Sequence, residues 1–477
     1  MSGFNMSFSH DASPHVLPSL ADVRETPYWL DDQDAPQDKS RVVGNLEADL
    51  LIIGAGFTGL WAAIEAITHD PKLNVVVVEG GAIAHGASGL NGGFVSASLT
   101  HGFANGLARW PDDMTELVRM GQENLNAIEA FVLENKIECD WQRVGELNVA
   151  TEDYQIEKWK SFIDEARPFG EDYVWLDKTE TQQRLNSPTY LGALFDQHGV
   201  AICDPARLAW GLRDAALARG VRIYENSKVK DLDDKGANVL ATTDLGQIKA
   251  PKVLLATNAF PPLLRRLKYL VVPVYDSILV TEPLNATQQN DIGWNGNEGI
   301  SDSGNQFHYY RPTVDGRILW GGYDATYHFR SGFGPEHAHS MNSWPKLADH
   351  FFTTFPQLEG LKFEYAWSGA IDTCTRFSAF WGMAFSGKVA YVAGYTGLGV
   401  GASRFGAQVA IDLLLDRATS RRDLTMVKTL PIPFPPEPLR SAGINFTRWS
   451  LDRADKNQGK RNLWLRFLDW LGLGFDS

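Results

Sequence analysis

Cysteine is scarce. Cys139, Cys203 and Cys374 are the only three in 477 residues and lie far apart with no CxxC spacing. That excludes a disulfide framework and a cysteine zinc site, and it suits a reducing cytoplasm. Positive charge is also short: 44 Lys+Arg face 58 Asp+Glu, for a formal net charge of -14. Phosphate-backbone binding needs a basic face, so nucleic acid is not an expected partner. No apolar run is long and clean enough for a membrane span, because Leu50 to Ile67 is broken by Gly54, Gly56, Gly59 and Glu65. The start, MSGFNMSFSHDASPH, has no basic n-region and no apolar h-region, unlike a secretory signal. Internal repeats, low-complexity tracts and metal-ligand clusters are likewise missing, and no metal is expected.

What is present reads as strands and helices in alternation. At this length two joined domains are the natural expectation. ADLLII from Ala48 suits a strand buried on both faces, GAGFTG a turn, and LWAAIEAI a helix that stops near His69-Asp70-Pro71; a second buried strand runs from Val75 to Val78. Further on, the pattern predicts a helix over Met114 to Lys136, a strand at ELNVAT, a helix from Pro205 to Arg219, and strands at Arg222 to Glu225 and Val253 to Ala256. Between Val271 and Gly322 the chain favours β-branched and aromatic residues, which predicts a second, largely antiparallel sheet. VAYVAG at Val389 to Gly394 predicts another buried strand, followed by a glycine-rich turn and a helix through Leu415.

Gly54, Gly56 and Gly59 have the GxGxxG spacing between a strand and a helix. The first permits a tight turn, the second lets backbone amides approach a pyrophosphate, and the third lets helix pack on strand. Glu79, after the second strand, is placed to accept hydrogen bonds from an adenosine ribose and disfavours a 2′-phosphate. The motif alone does not separate FAD from NAD. Two features favour FAD: the small-residue run GGAIAHGASGLNGGFVSAS after Glu79, and a distant second glycine turn, Gly394 to Gly401, aimed into another helix N-terminus.

The stretches ADLLIIGAGFTGLWAA, GASGLNGG, GELNVAT, KVLLATNAF, VPVYDSILVTEP, DGRILWGG and YVAGYTGLGVGAS resemble the D-amino-acid oxidase-like superfamily of FAD-dependent amine oxidoreductases. Within it, the chain resembles the gamma-glutamylputrescine oxidase-like branch from about Tyr28 to its end. The resemblance implies an α/β fold: a Rossmann-like FAD-binding domain of the glutathione-reductase type, with a mostly antiparallel sheet domain over the flavin. The expected divisions are a leader over 1–46, an FAD domain over 47–140, 201–260 and 367–430, a substrate domain over 141–200 and 261–366, and a tail over 431–477. It implies that Gly54, Ala55, Gly56, Phe57, Thr58, Gly59, Glu79 and Gly80 hold ADP. Gly86, Ala87, Ser88, Asn91, Gly92 and Gly93 would line the stretch toward the flavin, Val229 and Thr257 would flank the nucleotide, and Gly394, Thr396, Gly397, Leu398 and Gly399 would meet the ring.

Four departures bear on chemistry. Leu90 stands where relatives commonly carry arginine. Gly401 stands about where the sarcosine oxidase branch has a carboxylate-binding lysine, and Gly316 to Gly322 lacks the lysine that promotes oxygen reduction there. Trp367 occupies the place of a flavin-linking cysteine, so FAD is expected to be non-covalent, with His85 and His101 as alternative attachment points. The expected reaction is oxidation of a primary or secondary amine, by hydride transfer from its α-carbon to the flavin and hydrolysis of the imine, with O2 or another acceptor. A C–OH donor, such as a hydroxy acid or glycerol phosphate, and a non-catalytic assembly subunit stay open as alternatives.

Candidate substrate-wall residues are Tyr275, His308, Tyr309, Trp320, Tyr323 and Trp367, all of which serve equally as core of an aromatic-rich sheet. Arg311 and Arg376 are candidates for pairing with an acidic substrate group, or for structural salt bridges. Leu463, Phe467, Trp470 and Leu471 form one helical stripe in the tail, expected to dock on the body or on a second subunit of a monomer or homo-oligomer.

Overall fold

Leu50–Ile53 and Val75–Val78 are buried at every position, a pattern suited to parallel strands covered on both faces. They are the centre of a six-stranded sheet in the order Phe380–Ala384, Val389–Ala393, Lys252–Leu255, Leu50–Ile53, Val75–Val78, Arg222–Tyr224. All pairs are parallel except the first. The structure is a computed structural model that describes residues 8, 12–37, 40–338 and 342–474. The helices Phe57–His69 and Gly399–Leu414 follow the two glycine turns and share one core. Ala62, Ala63 and Ala66 on one, and Ala407 and Ala410 on the other, are fully buried, and such small side chains let helix backbones approach closely.

The second sheet has nine strands and is mostly antiparallel. Its order is Thr326–Tyr327, Val272–Thr281, Ile318–Gly322, His308–Pro312, Gly299–Asp302, Glu146–Ala150, Gly192–Asp196, Val174–Asp177, with Phe363–Thr373 paired along Val272–Thr281. One face turns toward the first domain. The other is covered by the helix Ser343–Thr354, whose Trp344, Leu347 and Phe351 join Leu279, Tyr310 and Trp320 in a second core.

Two organisational expectations need correction, on a domain boundary and on the tail. The leader forms short 3-10 turns at Pro14–Leu20 and Tyr28–Leu30. Val16 enters the second core, and the indole of Trp29 donates to the carbonyl of Asn91 at 2.9 Å. The strand Phe363–Thr373 remains in the second sheet well past the boundary expected at 367, because its pairing with Val272–Thr281 runs its whole length. In the tail, two helices form, Leu439–Asp455 and Leu463–Trp470. Of the expected apolar stripe on the latter, Leu463 (82% exposed) and Trp470 (79%) point outward while Phe467 and Leu471 border the cavity, and Leu465 is buried. Within the chain the helix is therefore anchored through Leu465, outside the expected stripe. Among the described residues, no helix is long and apolar enough to cross a membrane.

Candidate active site

The first glycine turn is shaped by close backbone approach. Gly54 has φ +104°, and a Cβ there would stand 2.3 Å from the carbonyl oxygen of Ala256. A Cβ on Gly59 would stand 1.8 Å from the Gly54 oxygen, so the third glycine seats helix on strand. Gly56 caps the helix with no acidic residue in its first turn, and the Phe57 amide donates to Ser88 Oγ at 3.0 Å. The free amides and dipole of this terminus suit an anion. Glu79 accepts from the amides of Ala55 and Gly81, each at 2.9 Å, which fixes its carboxylate at the end of the Val75–Val78 strand.

The late turn combines positive φ at Gly394, Thr396 and Gly397 with the start of the helix Gly399–Leu414. A buried carboxylate that sequence reasoning missed secures it: Asp372 accepts from the Gly394 amide at 2.6 Å. Burial pushes the Asp372 carboxyl up to about 6, against the opposing pull of the Gly394, Tyr395 and Thr396 amides. The only signal for it was an acid inside an otherwise apolar and small-residue strand. The two turns are tied together where Thr58 Oγ1 donates to the Tyr395 phenol at 2.9 Å.

Both turns open on one cavity of about 1560 Å³ between the two sheets. That exceeds the usual volume for a single drug-sized ligand, about 300–1,000 Å³. Of the residues expected at a cofactor, Gly54, Ala55, Gly56, Phe57, Thr58, Glu79, Gly80, Gly86, Ala87, Ser88, Asn91, Gly92, Val229, Thr257, Thr396, Gly397, Leu398 and Gly399 line it. Gly59, Gly93 and Gly394 lie behind the lining. A Cβ on Gly93 would meet the carbonyl of Cys203 at 2.3 Å, and one on Gly394 would meet Phe380 at 2.8 Å. His85 and His101 both border the cavity; His101 is held neutral by desolvation, its pKa lowered to about 4.

Strand alternation corrects the proposed substrate wall. Tyr309 and Tyr323 line the cavity, whereas Tyr275, His308, Trp320 and Trp367 do not. Successive side chains on a strand point to opposite faces, so with Tyr309 on the cavity side, His308 turns into the second core. There it bonds Asp302 through Nδ1 at 2.6 Å and His350 through Nε2 at 2.9 Å. Trp320 is fully buried and stacks on Tyr310, centroids 4.3 Å apart. Tyr275 lies against His328, while its neighbour Asp276 faces the cavity. Trp367 is on the cavity side of its sheet but sits beneath the first-domain loop, donating from its indole to the Leu90 carbonyl at 3.0 Å. The arginines are structural: Arg311 donates to the carbonyls of Cys203 and Gly93, and Arg376 to those of Ser378, Thr429 and Ala379.

Asp276 and Tyr309 are the sheet's central polar pair. The Tyr309 phenol donates to Asp276, and the Ser277 amide donates to the same carboxylate at 2.9 Å. Burial raises the Asp276 carboxyl to about 6 and pushes the Tyr309 phenol well above its ordinary value. Elsewhere on the wall Glu146 accepts from Ser301 at 2.8 Å and is raised by burial to about 7, as is Glu171. The tail closes the far side with Phe446, Trp464, Leu468 and Leu473, and its end is held by Arg109, which donates to the carbonyls of Gly472 and Gly474 at 3.0 Å.

Residues 49–413 match the family model described as FAD dependent oxidoreductase, DAO. The chain belongs to the DAO family. This DAO enzyme is 29% identical over 380 residues to a probable oxidoreductase OrdL of Haemophilus influenzae, covering 77% of this chain and 83% of that protein. It is also 29% identical over 400 residues to gamma-glutamylputrescine oxidoreductase of Escherichia coli, covering 82% and 88%. Among solved structures it is similar to glycine oxidase from Geobacillus kaustophilus, with a TM-score of 0.68 at 20% identity over 81% of this chain and all of that one. L-alpha-glycerophosphate oxidase from Mycoplasma pneumoniae, with FAD bound, gives a TM-score of 0.61 at 19% identity over 81% of this chain and 99% of that one. The same fold thus serves amine and alcohol donors, and function must come from the site. The chain is an oxidoreductase whose cofactor is FAD, and the glycine cradle, the helix-terminal amides and Glu79 fit its ADP half.

Proposed function

We propose that this flavoenzyme oxidises a substituted primary or secondary amine, of which a gamma-glutamylputrescine-like compound is one example, and releases a carbonyl product after imine hydrolysis. One observation carries the reading. Among the described residues, the second-sheet portion of the cavity wall brings the carboxyls Glu146, Glu171, Asp196 and Asp276, with the Asp302 carboxylate turned to His308 behind them, and no Lys, Arg or His. With Glu146 and Glu171 near 7 and Asp276 near 6, the wall carries partial negative charge at neutral pH, led by Asp276, which attracts an ammonium and repels the carboxylate of a hydroxy acid or the phosphate of glycerol phosphate. The tail arginines that border the cavity have other partners: Arg448 pairs with Asp324 at 3.5 Å, Arg461 with Asp469 at 2.8 Å, and Arg440 donates to Ser331 at 2.9 Å.

Bound FAD supplies the two-electron acceptor. The protein's own contribution is binding and orientation. The first-helix amides and Glu79 would hold the ADP half, Asp372 shapes the late turn that would face the ring, and the second sheet presents the substrate. Gly401 supports an amine without a required α-carboxylate. A Cβ there would stand 2.1 Å from the Ser96 carbonyl, so a lysine does not fit without moving backbone. Apolar tail residues border the far side of the cavity, and such low-dielectric surroundings strengthen the wall's electrostatics. The reading is tested by anaerobic addition of amines and of C–OH donors to the FAD-loaded protein. Bleaching of the flavin band by amines alone supports it, and bleaching by hydroxy acids or glycerol phosphate alone overturns it.

A further inference from the structure

We infer that the Asp276 carboxylate, oriented by the Tyr309 phenol, is the group that captures the substrate ammonium and takes its proton. The inference rests on the amine reading and adds the residue pair that performs the first step.

Both side chains border the cavity and neither is fully enclosed. Their placement depends on two glycines. A Cβ on Gly321 would stand 2.7 Å from the Tyr309 ring carbon Cζ and its hydroxyl, and one on Gly92 would stand 2.6 Å from Tyr309 Cε2. The phenol therefore lies between the second sheet and the segment that follows the short helix Ala87–Leu90, through Gly92, which borders the expected flavin stretch. Any side chain at Gly321 would displace it. Opposite Asp276 in the strand register stands Gly369, which brings no side chain of its own and is packed by Leu90.

The groups around Asp276 are few. From the strand His308–Pro312, one strand beyond Ile318–Gly322, come Tyr309, which donates to the carboxylate, and His308, whose ring lies on the far face against Asp302 and exerts only a minor pull on Asp276. The flanking strands bring Gly322 and Gly369, neither charged, and the loop across the gap brings Leu90, Asn91 and Gly92. No fixed cation neutralises the carboxylate from these elements. A carboxylate so placed holds a cation strongly, because the low-dielectric surroundings weaken solvent competition.

The step balances simply. An ammonium N–H bond breaks, a carboxyl O–H bond forms on Asp276, and the nitrogen keeps its electron pair. That free pair is what oxidation of the adjacent carbon requires, since a protonated amine cannot release hydride from its α-carbon. The proton returns to water as product leaves. Burial holds Asp276 near 6, close enough to neutrality for proton transfer in both directions.

The test uses the FAD-loaded full chain as wild type, Asp276→Asn, Asp276→Glu and Tyr309→Phe. The binding probe is tert-butylamine, which has no α-hydrogen and cannot be oxidised; its affinity is read by calorimetry across pH 5 to 8. In wild type the affinity should fall as pH drops through about 6, as the carboxylate is protonated. In Asp276→Asn it should be at least tenfold weaker with that pH step gone, and the limiting rate of flavin reduction by a reactive amine should fall by about 10²-fold. Asp276→Glu should restore part of both. Tyr309→Phe removes a donor that lowers the carboxyl's pKa, so its step should move to higher pH. Wild-type affinity and an unchanged pH step in a well-folded, FAD-replete Asp276→Asn, or an unmoved step in Tyr309→Phe, overturn the inference. If amines reduce wild-type flavin in that case, the amine reading stands without this pair; if no amine does, the reading itself fails.

Discussion

The contrast between Gly54→Ala and Gly56→Ala separates a glycine needed for folding from one needed for the ligand. At Gly54 the backbone has φ +104°, and the new methyl would sit 2.3 Å from the Ala256 oxygen. Ala256 is fixed, because its amide donates to Ile53 at 2.8 Å beside paired strands. The left-handed conformation costs about 1–2 kcal/mol and overpacking about 1–3 kcal/mol, so together about 2–5 kcal/mol of stability should be lost. At Gly56 the backbone is ordinary, φ -76°. The new methyl would meet only Ser88 Oγ, at 2.8 Å, and that side chain can rotate away. The cost is the Phe57–Ser88 hydrogen bond, about 1 kcal/mol, but the methyl stands on the surface where a pyrophosphate would approach. Thermal melting of apoprotein should show a large loss for Gly54→Ala and a small one for Gly56→Ala. FAD titration by fluorescence quenching should show at least a tenfold weaker affinity for Gly56→Ala, about 1.4 kcal/mol. Wild-type FAD affinity in Gly56→Ala would refute the assignment of this turn to the pyrophosphate.

Other outcomes follow from the same geometry. Glu146 and Glu171 are raised to about 7, and Asp276 and Asp372 to about 6. The folded state thus holds protons that the unfolded chain has released, so these groups add stability as pH falls from about 7 toward their unfolded values near 4. Apoprotein melting should rise between pH 8 and 5.5, and Glu146→Gln should flatten the slope; a melting point that falls steadily over that range contradicts the burial of these carboxyls. Acid precipitation of holoprotein should leave all flavin in the supernatant, whereas yellow colour in the pellet would show a covalent link, with His85 and His101 the first residues to examine. Arg109→Ala should loosen the Gly472–Gly474 end and speed proteolysis of the tail at unchanged body stability, measured by limited trypsin digestion; wild-type cleavage kinetics would show the tail to be held otherwise.

The first domain was largely legible because its signals are local. All-apolar runs, glycines at fixed offsets and a proline stop placed the Leu50–Ile53 strand and the Phe57–His69 helix to within two or three residues, the helix starting at Phe57 inside the expected turn. The wall of the second sheet was less legible, since composition identifies aromatic strands but not which face meets the first domain. His308 and Tyr275 are each one position from the cavity-facing Tyr309 and Asp276, and one residue of register inverts a strand's faces. The importance of Asp276 and Asp372 depends on burial and on partners distant in sequence, such as Tyr309 and Gly394. The tail was partly legible: it docks on the body, but an eight-residue helix with apolar residues on several sides has no unique inward stripe, and its anchoring through Leu465 follows from contacts of the preceding helix and of Arg109.

The central claim is an acidic-walled flavin site for amines, and anaerobic reduction of the FAD-loaded enzyme tests it most directly. The panel sets gamma-glutamylputrescine and simpler primary and N-methyl amines against hydroxy acids and glycerol phosphate. The account predicts loss of the oxidised flavin band with at least one amine and no change with the acidic alcohols. Reduction by an acidic alcohol while every amine leaves the band intact would contradict it.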